Sequence, residues 1–237
     1  MLEEDCRELF KCIEPCSKNG TTFGPALSKL LLACGSEVDV VLKELFEWAD
    51  PIKYWQAQRS KKGFSKRLTI NDYKSFVREE REWSFRGVEV GLISGDWSVT
   101  PWNSWWYAEP ESPDWWNAYN NVKHHRAEKY SQATLKATFQ SLAALFICVV
   151  DLARVLNVER LLPTPNLLVF SDSQYGETAF AEMCGTTLHM DTALSFHAKS
   201  DVSRGLITEG QLAERESLRD LLSNMKSEER LLFLDSV

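Results

Sequence analysis

The chain has 237 residues and a mass of 27.2 kDa, with 34 acidic against 27 basic side chains for a formal charge of −7. An apolar share of 44% fills the core of a large domain, and 11 Gly with 8 Pro exclude a collagenous or low-complexity chain. An aromatic share of 11% excludes global disorder, and the acidic balance excludes a protein that coats duplex nucleic acid, so any nucleic-acid contact must be local.

The N-terminal residues Met1-Leu-Glu-Glu-Asp start acidic where a secretory signal starts basic, so the expected location is cytoplasmic. Apolar residues recur at spacings of three and four over 4–14 and again over 25–48. In the second segment Leu27, Leu30, Leu31, Cys34, Val38, Val41, Leu42, Leu45 and Phe46 trace one helical stripe. Pro25 suits the first turn of that helix, and Pro51 is expected to close it. Cys6, Cys12, Cys16, Cys34, Cys148 and Cys184 are expected to be reduced. Cys12 and Cys16 are spaced for one helical face, as in half a zinc site, but no second pair at ligand spacing completes it, so no metal is expected. The composition then shifts: from Pro51 to Asn71 there is no acidic residue, while Lys53, Arg59, Lys61, Lys62, Lys66 and Arg67 surround Tyr54, Trp55 and Phe64. Such a stretch suits a phosphate backbone and stacked bases, and a solvated loop has the same composition.

Asn71 or Asp72 is expected to open a short helix ending near Trp83, and Val88 to Ile93 pairs with Trp97 to Thr100 as a hairpin. Residues 97–116 carry six of the nine Trp, among Pro101, Pro110 and Pro113. Those rings are costly to leave in water, so they should pack as an irregular arm over the helices. Asp114 reads as the N-cap of a helix running to Arg126, and Ser131 as the cap of the most apolar helix, Ala133 to Leu156. The longest charge-free run there, Ala137 to Val150, is shorter than the roughly 20 apolar residues of a membrane span, so no membrane association is expected. Beyond Arg160 the periodicity weakens until Leu212 to Phe233, which reads as one charged amphipathic helix. The expected organisation is a mainly α domain over 1–160 with an insertion at 51–113, followed by an appendage over 161–237.

The chemistry concentrates near residue 120. On a helix Asn120 and His124 are four apart and share a face, with Lys123, His125 and Arg126 beside them. An imidazole exchanges a proton near neutral pH, and flanking cations suit an anionic phosphodiester; a solvated face between helices would present the same residues. Glu37 sits in an apolar helix, where a buried carboxylate needs a partner such as Lys123 or His124, whether for catalysis or to set helix register. Asp172, Asp191, His189 and His197 form no spacing tied to a mechanism. No P-loop, Gly-rich dinucleotide turn or Gly-x-Ser-x-Gly elbow is present, which disfavours familiar nucleotide-driven motors, dehydrogenases and serine hydrolases.

The element Trp115-Trp116-x-x-Tyr119-Asn120-x-x-Lys123-His124-x-Arg126, followed by an Ala/Leu-rich helix, resembles a group of bacterial proteins related to the HEPN superfamily. Phe10-Lys-Cys-Ile-Glu-Pro15 and Leu30-Leu-Leu-Ala-Cys-Gly-Ser-Glu37-Val-Asp39 are similar to that group too, so the resemblance spans roughly residues 8–157. It implies an HEPN-like antiparallel helical bundle, a homodimer whose motifs face each other, and metal- and cofactor-independent RNA cleavage in toxin or antiphage systems. The family motif of Arg, Asn and a downstream His places Asn on Asn120 and His on His124, but its Arg position holds Tyr119, so Lys123 or Arg126 would have to supply that charge. The resemblance thus assigns His124 as general acid or base, Asn120 as the group orienting ribose or phosphate, and Lys123 with Arg126 as phosphate neutralisers, with Tyr119 and His125 beside the substrate. The alternative is a non-catalytic module of the same fold for dimerisation or partner binding.

Overall fold

The computed structural model describes residues 2–60, 63–64, 66–93, 97–158, 161, 165–171 and 209–236, and among them the chain is mainly helical. The helices are α1 (Leu2–Phe10), α2 (Pro25–Ala49), α3 (Pro51–Ala57), α4 (Ile70–Glu80), α5 (Glu82–Phe85), α6 (Asp114–His124), α7 (Arg126–Lys129), α8 (Leu135–Val155), α9 (Glu209–Asn224) and α10 (Ser227–Ser236). Short strands are β1 (Arg59–Ser60), β2 (Gly63–Phe64), β3 (Val90–Leu92), β4 (Ser98–Val99) and β5 (Leu168–Phe170).

α2 and α8 form the centre. Pro25 opens α2, where its missing N–H has no helical partner to lose, and the predicted stripe is buried from Leu27 to Phe46 except for the half-buried Val41. Pro51 follows the end of α2 but also opens α3, whose cap is the Asp50 carboxylate accepting the Lys53 N–H at 2.9 Å. The two central helices start side by side. Leu135 N–H donates to Thr22 O at 2.8 Å, the Thr138 hydroxyl donates to Leu27 O at 3.2 Å, and Ser141 reaches Cys34. These pairings advance in the same sense along both helices, so α2 and α8 are parallel.

α8 is capped by Thr134, which accepts the Ala137 N–H at 3.2 Å, rather than by Ser131, which lies in the 3-10 turn Tyr130–Gln132. Its 21 residues are long and apolar enough to cross a membrane, but 72% of the most apolar window is buried inside the protein, where it forms the core. α6 packs against α2 and α8, and Gly35 of α2 makes the close approach possible: a Cβ there would lie 2.4 Å from Tyr119 Cδ2. Asp114 is the first residue of α6 and Pro113 holds the cap position, so the expected Asp114 cap is absent. The helix also stops short of Arg126, because His125 adopts φ −132° and ψ 39° before α7 resumes.

The Trp-rich arm does pack into the core. Trp102, Trp105 and Trp115 are fully buried, with Trp102 and Trp105 centroids 4.4 Å apart and Trp115 edge-on to Trp102 at 5.1 Å. The Trp115 indole N–H donates to Pro101 O at 2.9 Å, so one polar edge is satisfied inside the cluster. The expected short helix divides at Arg81 into α4 and α5. There a buried ion pair joins this region to α8: Arg81 Nη2 and Nε reach the Asp151 carboxylate at 2.6 and 2.9 Å, and the Ser84 hydroxyl donates to the same carboxylate at 2.5 Å. β3 and β4 form the expected hairpin, and β5 adds a third antiparallel strand against β3.

The single helix expected over Leu212–Phe233 is broken near Met225 into α9, which packs on α2 and α3, and α10, which packs on β2. Cys12 and Cys16 lie beyond the end of α1 rather than on one helical face, and no group of three or more metal-binding side chains occurs among the described residues. Burial pushes the Cys34 thiol up to about 12 and raises those of Cys6 and Cys148, so all three stay protonated at neutral pH.

Candidate nucleic-acid interface

The two cationic segments read from the sequence have opposite fates. In the Pro51–Asn71 stretch every described cation is ion-paired: Lys53 with Asp50, Glu79 and Glu80, Arg59 with Asp235 at 2.8 Å, Lys66 with Asp72 at 2.6 Å, and Arg67 with Asp39 at 3.7 Å. The Glu80 contact raises the Lys53 ammonium and the Asp235 contact raises the Arg59 guanidinium above their ordinary values. Lys61 and Lys62 lie outside the described residues. The aromatic surfaces are occupied as well: Tyr54 is buried, and the Arg230 guanidinium lies 3.8 Å from the Trp55 ring centre and 5.0 Å from that of Phe64. The stretch is acid-free in sequence, yet carboxylates from α2, α4 and α10 pair with its described cations in space.

The α6–α7 corner is different. α6 buries Trp115, Trp116, Ala118, Tyr119 and Val122, and the complementary face leaves Lys123 and His124 exposed at its last turn. There the negative end of the helix dipole favours cations. The His125 N–H bonds Asn121 O at 2.8 Å, and His125 O accepts the N–H groups of Glu128 and Lys129 at 3.0 and 2.9 Å, which turns the chain into α7. Lys123, His124, His125, Arg126 and Lys129 are therefore all exposed, with Glu128 the one acidic residue among them in the chain. None of these cations forms an ion pair among the described residues. Two further cations that the sequence reading did not single out lie where the Gly20 turn meets the start of α8. Lys136 donates its N–H to Gly20 O at 3.0 Å, and Lys18 lies in the 3-10 turn leading to Gly20. Both are exposed and unpaired within the described residues. Comparison with known proteins finds no matching family model, curated protein or solved structure.

Not every motif residue is free to act. The Asn120 amide N–H donates to Trp116 O at 3.1 Å within its own helix, and Asn121 donates to Gln132 Oε1 at 2.8 Å, which ties α6 to the following turn. Tyr119 is buried against Gly35, and its hydroxyl accepts from Lys123 Nζ at 2.9 Å, with the ammonium 5.0 Å from the ring centre. Glu37 departs from expectation outright: it is exposed on α2, in an outward strip with Ser36 and Val40, and pairs with neither Lys123 nor His124. Its register places it between the stripe residues Cys34 and Val38 but off the buried face. Asp172, Cys184, His189, Asp191 and His197 lie outside the described residues.

Proposed function

We propose that the chain is an HEPN-like protein that binds RNA at the α6–α7 corner, with His124 as general acid or base for metal-independent cleavage. The observation that supports this reading is an exposed imidazole among cations that are unpaired within the described residues, in an acidic protein whose other basic segment has all its described cations ion-paired. His124 would take the ribose 2′-hydroxyl proton as that oxygen attacks phosphorus, or give a proton to the departing 5′-oxygen. Lys123 and Arg126 would neutralise the phosphate, and Asn120 would orient it through its amide oxygen. The corresponding biological setting is a cytoplasmic homodimer in toxin or antiphage defence.

A second reading, a non-catalytic dimerisation or partner-binding module, draws on Tyr119. That side chain fills the family's Arg position yet is buried, and loss of one positioned donor removes about 3–4 kcal/mol of transition-state stabilisation in other enzymes. Incubation with structured and unstructured RNA in EDTA separates the two. Cleavage that a His124→Ala variant loses supports turnover, and RNA left equally intact by both proteins supports the module.

A further inference from the structure

Beside the cationic corner lies an aromatic pair that the sequence reading passed over. Phe23 is 51% exposed, although a Phe side chain favours burial. Its backbone is held against the start of α8: it bridges Thr134 in antiparallel fashion, and the neighbouring Thr22 carbonyl accepts the Leu135 N–H. Its ring stands edge-on to Tyr130, with centroids 6.0 Å apart and planes at 86°. The Arg126 guanidinium, next in the chain after His124 and His125, lies 5.9 Å from the centre of the Tyr130 ring. Lys129 adjoins Tyr130 in the chain, Lys136 follows Thr134 by two residues, and neither is ion-paired among the described residues.

We infer that Phe23, held edge-on by Tyr130, offers its exposed ring as a stacking platform for an unpaired base, which makes single-stranded RNA the ligand class of this corner. The inference rests on the RNA reading proposed above and narrows it. An exposed ring gains from covering its face, and every base offers a π-surface of matching size; stacking contributes about 1–3 kcal/mol per base. Bases within a duplex are already stacked and shielded, so they cannot use the platform. The phosphates flanking the stacked base would meet Arg126, Lys129 and Lys136, and that contact is electrostatic and indifferent to sequence. Trp55 and Phe64, the aromatic surfaces suggested by the sequence, are ruled out for this role in the described state because Arg230 lies over them.

The test compares full-length wild type, Phe23→Ala and Arg126→Gln by fluorescence anisotropy. The probes are a labelled 12-nucleotide single-stranded RNA, an RNA duplex of the same length and an oligodeoxynucleotide of the same sequence, over a salt series. Phe23 is half exposed, so Phe23→Ala should melt with wild type. It should weaken single-strand binding by about 5- to 100-fold with an unchanged salt slope, as expected for a stacking contact. Arg126→Gln should instead lower the slope by about one phosphate contact. Wild type should prefer the single-stranded RNA over the duplex, and the oligodeoxynucleotide, whose bases stack equally well, should bind no tighter than the RNA. If wild type binds the RNA but Phe23→Ala binds equally well, the platform is refuted while the RNA reading survives. Equal or tighter duplex binding also refutes it, as does tighter DNA binding. If wild type binds no RNA at all, both readings fail together.

Discussion

Replacing Gly35 by Ala sets two effects of known sign against each other. In an exposed helix interior the change is favourable by about 1 kcal/mol, because Ala restricts the unfolded chain and suits the helix. Here the added Cβ would lie 2.4, 2.6 and 2.9 Å from three ring atoms of Tyr119, whereas carbon atoms in ordinary contact sit about 3.5–4.0 Å apart. The ring must retreat by about 1 Å, but Trp116 packs at 5.1 Å between centroids and Lys123 holds its hydroxyl. Overpacking costs about 1–3 kcal/mol, and three approaches under 3 Å put this site in the upper part of that range, about 2–3 kcal/mol, so the net loss after the propensity gain is about 1–2 kcal/mol. At this chain length each kcal/mol lowers the midpoint by about 2–4 °C, which thermal unfolding followed by circular dichroism resolves. In a Tyr119→Ala background all three clashing ring atoms are gone, and Gly35→Ala should become neutral or stabilising. A Gly35→Ala protein as stable as wild type, or one equally destabilised in both backgrounds, would refute the argument.

The Arg81–Asp151 pair should behave as a buried charge pair does. Asp151→Asn leaves Arg81 without its counter-ion and should cost about 3–5 kcal/mol in equilibrium urea unfolding, whereas Arg81→Met with Asp151→Leu should recover most of that loss. A single-variant loss below about 1 kcal/mol would show that water reaches the pair. At the start of α4, burial pushes the Asp72 carboxyl up, but hydrogen bonds from Lys66 and from the Thr69 hydroxyl and N–H outweigh it and hold it below the usual value. The stability it contributes is therefore present above the ordinary carboxylate range near about 4 and fades as pH falls through the lowered folded-state value. Asp72→Asn should cost about 1 kcal/mol at pH 7 and progressively less on acidification, and a gap that stays constant down to pH 3 would count against the capping role.

The helix-forming periodicity of the two central helices is legible because it depends on residues close together in the chain: apart from the half-buried Val41, Leu145 and Val149, the apolar residues of the Leu27–Phe46 stripe and of the Leu135–Val150 run are buried as their spacing predicts. The β3–β4 hairpin and the sequestration of Trp102, Trp105 and Trp115 follow from equally local signals. Element ends were less legible where a neighbour decides them. Arg81 interrupts the helix after Glu80 in order to reach Asp151 seventy residues on, and nothing near Arg81 in the sequence announces that partner. The shared face of Asn120 and His124 was visible from spacing, but the bond that takes up the Asn120 amide and the burial of Tyr119 were not.

By itself, the sequence determined the mainly helical character, the positions of the buried stripes and the presence of an imidazole beside cations on one helix, since all three are set by neighbours within a few turns. Only the tertiary structure decided which charges remain available. Asp39 and Asp235 come from remote parts of the chain to neutralise Arg67 and Arg59, while Lys123, Arg126 and Lys129 meet no such partner among the described residues. A charge acts through whatever lies within a few ångströms of it, and that neighbourhood is assembled by packing rather than by adjacency along the chain.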